Sequence, residues 1–430
     1  MSEDNTLPTN HGVKPACGAH KLYTAGLYLF AFTSNFSISA AQISLGLALI
    51  GFILLYRSGK ITIKSSPLDM PFAFFAFTGL LSVFRAENLA RAIPEMKTFL
   101  LIFCFYLAYW HDTSDVQQKN LLKLYLFSAT LVSIISNFRA IFFEPTGYRA
   151  TGFYSMSMTF GECQTLAILV TVMVFSHVRQ GIGKQAFLVL AAVSSTFSVL
   201  FSMVRSAYLG LFFGLGLLLI RFPKRTALIL LITMAAATPF VLSRSELQDR
   251  FTGFNPQLTV EAAGKELGDT FTSDSLRANY HRMTTWWRGF QIFENQYVFG
   301  TGLSNVKLWY QRLASEFEFA NNLIFGHQHN NFMQILVMSG LLSLIAFFHF
   351  IISTLKFTWN QTAPNQLHLK AKLRRGAVSI FIAYLAFGFG EYSWGDEEVS
   401  MMALFLTGMM VNRHLGQNEV QASEEVATAS

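Results

Sequence analysis

The sequence is poor in charge: 13% of its 430 residues are Asp, Glu, Lys or Arg, about half the share of an ordinary soluble chain. The shortfall is concentrated in long apolar stretches, which points to a membrane as the solvent. Cysteine is scarcer still. Cys17, Cys104 and Cys163 are scattered, with no Cys-x-x-Cys pair. That excludes a disulfide framework and argues against a zinc site; Cys104 and Cys163 read as small apolar side chains. No cleavable signal peptide, no internal repeat and no soluble second domain is visible. The net charge of +7 does not point to nucleic acid, because the basic residues sit in short loops between apolar runs. What is abundant is apolar: 52% of residues are hydrophobic and 44 are Phe, which suits lipid-facing helices.

A spanning helix takes about 20 mostly apolar residues. Stretches of that kind lie near 21–37, 39–56, 67–84, 96–110, 121–143, 155–176, 186–203, 206–221, 226–243, 331–355, 376–393 and 398–412. The expected fold is therefore all-α, a polytopic transmembrane bundle of about twelve spans, nine within 21–243 and three within 331–413. Between Tyr23 and Tyr56 only Ser34, Asn35 and Ser37 break the run, so one long tilted helix is an alternative to the first two spans. Orientation follows from the basic loops. Arg57, Lys60 and Lys64, then Arg179 and Lys184, then Arg221, Lys224 and Arg225, then Lys356, Lys370, Lys372, Arg374 and Arg375 fall on one side, which is then cytoplasmic. Both polar tails, 1–20 and 414–430, share that side and are expected to be disordered. Glu391, Asp396, Glu397 and Glu398 fall on the other side.

One non-cytoplasmic connection, 244–330, is far longer than the rest, and such a connection is usually functional or disordered. Thr252 to Thr272 is expected to be mobile. Asp274 to Asn295 reads as an amphipathic helix capped by Ser273 or Asp274. Met283, Trp286, Phe290 and Phe293 share one face of it, and Trp286 with Trp287 would suit a membrane interface.

Arginine stands where the orientation rule calls for little of it. Arg85, Arg91, Arg139, Arg149 and Arg205 lie beside span ends on the non-cytoplasmic side, with Arg277, Arg282 and Arg288 in the long connection. Arg205 interrupts the apolar run in Ser202-Met-Val-Arg-Ser-Ala-Tyr. Arginine near a bilayer centre costs roughly 2.5–3.5 kcal/mol on insertion scales, so something offsets it. Its planar fork suits a phosphate or carboxylate; the alternative is a turn arginine snorkelling to headgroups. Arg277, His281 and Arg288 share one helix face, on which a solvated basic surface is the alternative to a site, and Arg282 lies on another, near Trp286 and Phe293. Gly326-His-Gln-His-Asn-Asn-Phe opens the tenth span. His327 and His329 have no third ligand at a recognised spacing, so a metal is disfavoured. A histidine at a cavity mouth suits a general base; the alternative is a helix-start histidine satisfied by Asn330 or a carbonyl. Glu162, inside the sixth span, is open to three readings: an arginine partner, a histidine orienter or a proton site. His349 reads as a packed neutral imidazole.

This order of features resembles the O-antigen ligase and polymerase superfamily. Arg149-Ala-Thr-Gly-Phe resembles its "R-a-x-G-f" segment, and Arg205 with Ser206 its arginine between central spans. Arg282-x-x-x-Trp286 with Phe299-Gly-Thr-Gly-Leu resembles its "R-x-x-x-W … G-x-G" loop. His329-Asn330-Asn-Phe-Met-Gln-Ile-Leu with Gly340 resembles its "H-N-x-x-L … G" helix start. The resemblance covers 148–355 well and the rest by topology only.

It implies a membrane-embedded, glycosyltransferase C-like enzyme of the bacterial inner membrane. The active site would lie on a periplasmic loop at 244–330. The size and loop look more like an O-antigen ligase than its relatives. The donor would be O-antigen on undecaprenyl pyrophosphate, the acceptor a sugar hydroxyl of lipid A–core oligosaccharide, with no cofactor, nucleotide sugar or metal. His329 would be the base, Arg205 with Arg288 or Arg282 would bind the pyrophosphate, and Arg149, His327, Asn330 and Trp286 would be secondary. The rivals are an O-antigen polymerase using the same donor and a transporter of an anionic lipid.

Overall fold

Two helices, not one, occupy the N-terminal apolar run. α1 (Pro15–Thr33) and α2 (Ile38–Arg57) are joined at Ser34–Ser37, where Ser37 caps α2 by accepting from the Ala40 amide. Asn35, fully buried, donates to Ser128 Oγ at 2.8 Å. Small residues let the hairpin close: a Cβ on Gly26 would lie 2.4 Å from the Ala48 nitrogen, and one on Gly51 2.4 Å from that of Tyr23. Close backbone approach of this kind replaces the hydrophobic effect, which lipid does not supply between helices. α1 starts at Pro15, so the last residues of the expected tail are helical.

The computed structural model describes residues 15–63, 65–111, 115–144, 148–177, 181–221, 223–243, 274–316, 326–360 and 369–412. The remainder of the expected tails and the stretch Thr252 to Thr272 lie outside the described residues, as does Ser273. After α2 come α3 (Asp69–Leu81), α4 (Leu89–Glu95) and α5 (Ile102–Trp110), with 3-10 turns at Ser82–Arg85 and Met96–Leu101. The second turn follows Pro94, whose missing N–H and ring disfavour α geometry. Then follow α6 (Asp115–Phe142), α7 (Ser157–His177), α8 (Ile182–Ser202), α9 (Arg205–Arg221) and α10 (Pro223–Leu242). The last five are α11 (Asp274–Asn295), α12 (Val306–Glu316), α13 (Asn331–Asn360), α14 (Leu369–Phe387) and α15 (Glu397–Met410). No strand occurs among the described residues.

Helices stand at all twelve positions expected to span, but six units are long and apolar enough to cross a membrane: α2, Leu89–Trp110, α6, α7, α8 and α13. Among the described residues, shorter apolar segments lie within α9, α10 and α14, at Arg205–Ile220, Thr226–Pro239 and Gly376–Phe387. α7 is the central helix, with 83% of its apolar window buried against 33% for α2. His349 is exposed on α13 rather than packed, because the buried stripe of that helix runs through Ser343, Ala346, Phe347 and Phe350.

α11 occupies the stretch that reads as amphipathic, but it buries a different face. Asn279, Thr285, Arg288 and Ile292 are buried, whereas Phe290 and Trp287 are exposed. The inward seam is polar because it packs on the polar end of the bundle, not on its apolar middle. α12 carries no signal strong enough to be read from sequence.

α13 is kinked at Gly340, which has φ 82°. The kink frees the Val337 and Met338 carbonyls, which accept from the Thr301 amide at 2.9 Å and the Gly302 amide at 3.0 Å. Leu341 N in turn donates to Tyr297 O at 2.9 Å. The Gly-Thr-Gly run and Gly340 are thus two halves of one contact, and irregular backbone is tolerated because protein satisfies it. A Cβ on Gly340 would sit 2.1 Å from the Val298 carbonyl oxygen. Gly340→Ala is expected to cost about 3 kcal/mol or more, through strain and steric displacement together. The check is the thermal midpoint in detergent, which should drop for Gly340→Ala and hold for Gly46→Ala, where nothing lies near the new methyl.

Candidate functional site

Four segments meet at one end of the bundle: the α8–α9 turn, α11, the turn before α13 and the loop from α14 to α15. The first presents Arg205. Met203, the C-cap of α8, adopts φ 53°, so the chain reverses sharply and Arg205 opens α9. A non-glycine residue in that region costs about 1–2 kcal/mol. Two contacts hold it: Ala150 N donates to Phe201 O at 2.9 Å, and Arg149 Nε donates to Ser202 O at 3.2 Å. Arg149 therefore serves the carbonyl end of α8, where a cation also suits the helix dipole. Beside it, Glu162 is 1% exposed and accepts from Ser206 Oγ at 2.7 Å and Ser393 Oγ at 3.0 Å. Two serine hydroxyls, not an arginine, satisfy this carboxyl and tie α9 to the loop after α14.

α11 supplies the next two groups from successive turns of one face. Asn279 accepts from Arg205 Nη1 at 2.5 Å. One turn on, Arg282 pairs through Nη2 with Glu391 Oε1. The second oxygen of that carboxylate, Oε2, lies 2.8 Å from His329 Nδ1. Glu391 thus joins Arg282 to His329, and its own side chain is only 7% exposed.

His329 sits at φ 48°, inside a turn fixed from every direction. Asn330 caps α13, its Oδ1 accepting from the amides of Phe332 and Met333 at 2.9 and 3.0 Å. Its Nδ2 donates to Phe389 O at 3.1 Å. Asn331 N donates to Gly388 O at 2.7 Å, and Asn331 Oδ1 accepts from Trp394 N at 2.9 Å. The His-Asn-Asn run is thus a presented ring, a cap and a brace on the loop that carries Glu391. Gln328 N donates to Gln334 Oε1 at 2.9 Å, and Gln328 O accepts from Trp286 Nε1 at 2.8 Å. Trp286 is a half-buried tie to this turn. Gln328 Nε2 donates to Tyr310 Oη, which donates to Thr285 O, both at 2.7 Å.

The structure brings together His329, Arg282 and, through Asn279, Arg205. Arg288 is buried on α11 and lies near Tyr310. The side chain of Arg277 lies outside the described residues. Sequence reasoning missed Glu391, which it used only to orient the chain, and missed Asn279, Gln328 and Tyr310 altogether. The one available signal for Glu391 was its place, an acid at a span end on the side where arginines gather.

His327 packs against His329, with ring centroids 4.2 Å apart, and its Nδ1 accepts from His329 N at 3.3 Å. Burial, and then the neighbouring His329, push its pKa down to about 4. The ring is neutral at pH 7, as its acceptor role requires. Among the described residues no three His, Cys, Asp or Glu side chains are grouped as a metal would need.

Residues 189–348 match the family model described as O-antigen ligase. This is the family that the sequence motifs resemble. The matched segment is a little over a third of the chain and holds Arg205, Arg282, Arg288, His327, His329 and Asn330. Arg149, Glu162 and Glu391 lie outside it, so the fold completes the cluster from beyond the matched segment. The match implies a membrane glycosyl-transfer enzyme of ligase or polymerase type. A comparison of the chain with curated proteins gives no match.

His327 makes stability pH-dependent in a definite direction. Its folded pKa of about 4 lies below the ordinary 6.5. Between those values the unfolded chain binds the extra proton, so stability falls as pH drops from 6.5 to 4. The thermal midpoint in detergent should drop further from pH 7 to pH 4.5 for wild type than for His327→Gln. Equal drops would mean that the ring titrates normally.

Proposed function

We propose that the protein is an O-antigen ligase. It transfers polysaccharide from undecaprenyl pyrophosphate to a sugar hydroxyl of lipid A–core oligosaccharide, at the periplasmic face of the bacterial inner membrane. The observation that carries this reading is the His329–Glu391–Arg282 bridge, which joins a histidine suited to act as a base to an arginine suited to bind phosphate.

The chemistry follows from the contacts. With Nδ1 held by Glu391, the neutral imidazole donates there and takes a proton at Nε2. The acceptor hydroxyl gives its proton to Nε2 as its oxygen attacks the anomeric carbon. The bond to the pyrophosphate breaks with its electron pair, which leaves on the phosphate oxygen. A single displacement from the opposite face inverts the anomeric centre. Negative charge grows on the leaving group, and Arg205 and Arg282 offset it as preorganised cations. Arg282 is preferred over Arg288 for this task because it shares Glu391 with the base. The pyrophosphate competes with Glu391 for Arg282, so donor binding leaves the carboxylate to His329. Arg149 acts by holding the turn that presents Arg205. Both lipid substrates enter sideways between helices, from the outer leaflet.

In vitro transfer by purified protein is the test, with lipid-pyrophosphate-linked glycan and core lipopolysaccharide both supplied. Glycosylated lipopolysaccharide is expected from wild type, and about a hundredfold less or lower from folded His329→Ala, the loss that follows removal of a general base. Longer lipid-linked chains alone would mean a polymerase. Neither product would favour lipid transport. Because arginines carry the leaving-group charge, transfer should persist in excess chelator. Loss restored by one added metal would overturn that and point to His327 and His329 as ligands.

A further inference from the structure

α11 turns polar groups inward, and one of its buried side chains is only half used. Asn279 is 7% exposed. Its Oδ1 accepts from Arg205 Nη1 at 2.5 Å. Chemistry fixes which end of the amide faces the arginine: a guanidinium carries donors only, so the atom opposite it is the oxygen. The other end, Nδ2, is shut off from solvent and donates to nothing among the described residues. A buried N–H without an acceptor is costly, and in a folded protein such a group calls for an explanation.

The surroundings say what kind of acceptor fits. Asn279 and Arg282 stand three residues apart on α11, so they share a helix face. The orphan amide therefore has one arginine in contact and another a turn away. Neither can accept from it, since both carry donors alone. Its acceptor comes from elsewhere, and beside two cations a negatively charged oxygen is favoured. A phosphate has several acceptor oxygens, so it can take the amide N–H and an arginine N–H together.

The residue type points the same way. A carboxylate at this position would hold Arg205 more strongly than an amide does. It would also bring a negative charge that repels an anion, and it would lack the N–H. The amide holds the arginine and adds no charge of its own. We propose that Asn279 contacts the pyrophosphate: its oxygen positions Arg205, and its amide N–H donates to the same anion. The inference rests on the proposed lipid-pyrophosphate substrate.

The test is binding of undecaprenyl diphosphate to the purified protein in detergent, with undecaprenol as the uncharged reference. Asn279→Asp keeps the Arg205 contact and loses the N–H, whereas Asn279→Ala loses both. Each should weaken diphosphate binding roughly tenfold or more, the effect of removing a hydrogen bond to a charged group, and leave undecaprenol binding unchanged. Asn279→Asp should hold or raise the thermal midpoint, because its carboxylate pairs with Arg205, and this separates lost binding from lost folding. If Asn279 only steadied Arg205, Asn279→Asp would bind the diphosphate as wild type does, and that result would overturn the proposal. Weakening by Asn279→Asp alone, with Asn279→Ala at wild-type affinity, would overturn it too. In the transfer assay, KM for the lipid-linked glycan should rise in Asn279→Asp while KM for core lipopolysaccharide holds. An equal rise in both would contradict the proposed contact. A wild type that binds the diphosphate but transfers nothing would sink the proposed reaction, and the binding comparison would still decide the role of Asn279.

Discussion

A carboxylate nearly shut away from water is the constraint around which this end of the bundle is built. An ionised carboxylate is costly to bury unless it is paired, and Glu391 is paired twice, with Arg282 on one oxygen and His329 on the other. The three residues come from different parts of the chain: Arg282 from α11, His329 from the turn before α13, and Glu391 from the loop after α14. Removing Arg282 or His329 leaves this nearly buried carboxylate with one of its two pairing contacts. The contact therefore sets the relative placement of three segments at once. It also couples, in the proposed reaction, the group that takes a proton to a group that receives the leaving charge.

The surroundings make sense as the apparatus that holds this contact. His329 is strained at positive φ, and such strain persists only where neighbours over-determine it. Here the neighbours are the Asn330 cap, the Asn331 brace and the two hydrogen bonds on the Gln328 peptide. Met203 repeats the device two residues before Arg205, with Arg149 and Ala150 as its supports. Further along, Asp396 caps α15 through Val399 N and accepts from Thr159, which anchors the far end of the loop that carries Glu391. Lys97 and Gln42 do the same at Glu397.

Much of this was legible in sequence, and the division has a physical cause. Apolar runs announced the helices, because one transfer term per residue adds up over a span. They did not announce which helices reach across, since among the described residues the apolar segments of α9, α10 and α14 (Arg205–Ile220, Thr226–Pro239 and Gly376–Phe387) are shorter than a span. Arg205, Arg282 and His329 stood out as polar residues where few are expected. Glu391 did not, since an acid beside Asp396 and Glu397 looks like a solvated loop until the fold buries it. The apolar face of α11 was readable, but the face that packs is polar, and no periodicity argument identifies a polar seam. Gly340 and the Gly-Thr-Gly run were each visible, whereas their pairing across 297–341 needed coordinates.

The most direct test of the central role of Glu391 is the turnover of Glu391→Gln, which keeps shape and removes charge, set beside Glu391→Asp in the same transfer assay. The account predicts that Gln lowers kcat about tenfold or more while the protein stays folded, and that Asp restores part of the loss, since a charge-assisted hydrogen bond orients the base and stabilises its protonated form. Wild-type kcat in folded Glu391→Gln would contradict it.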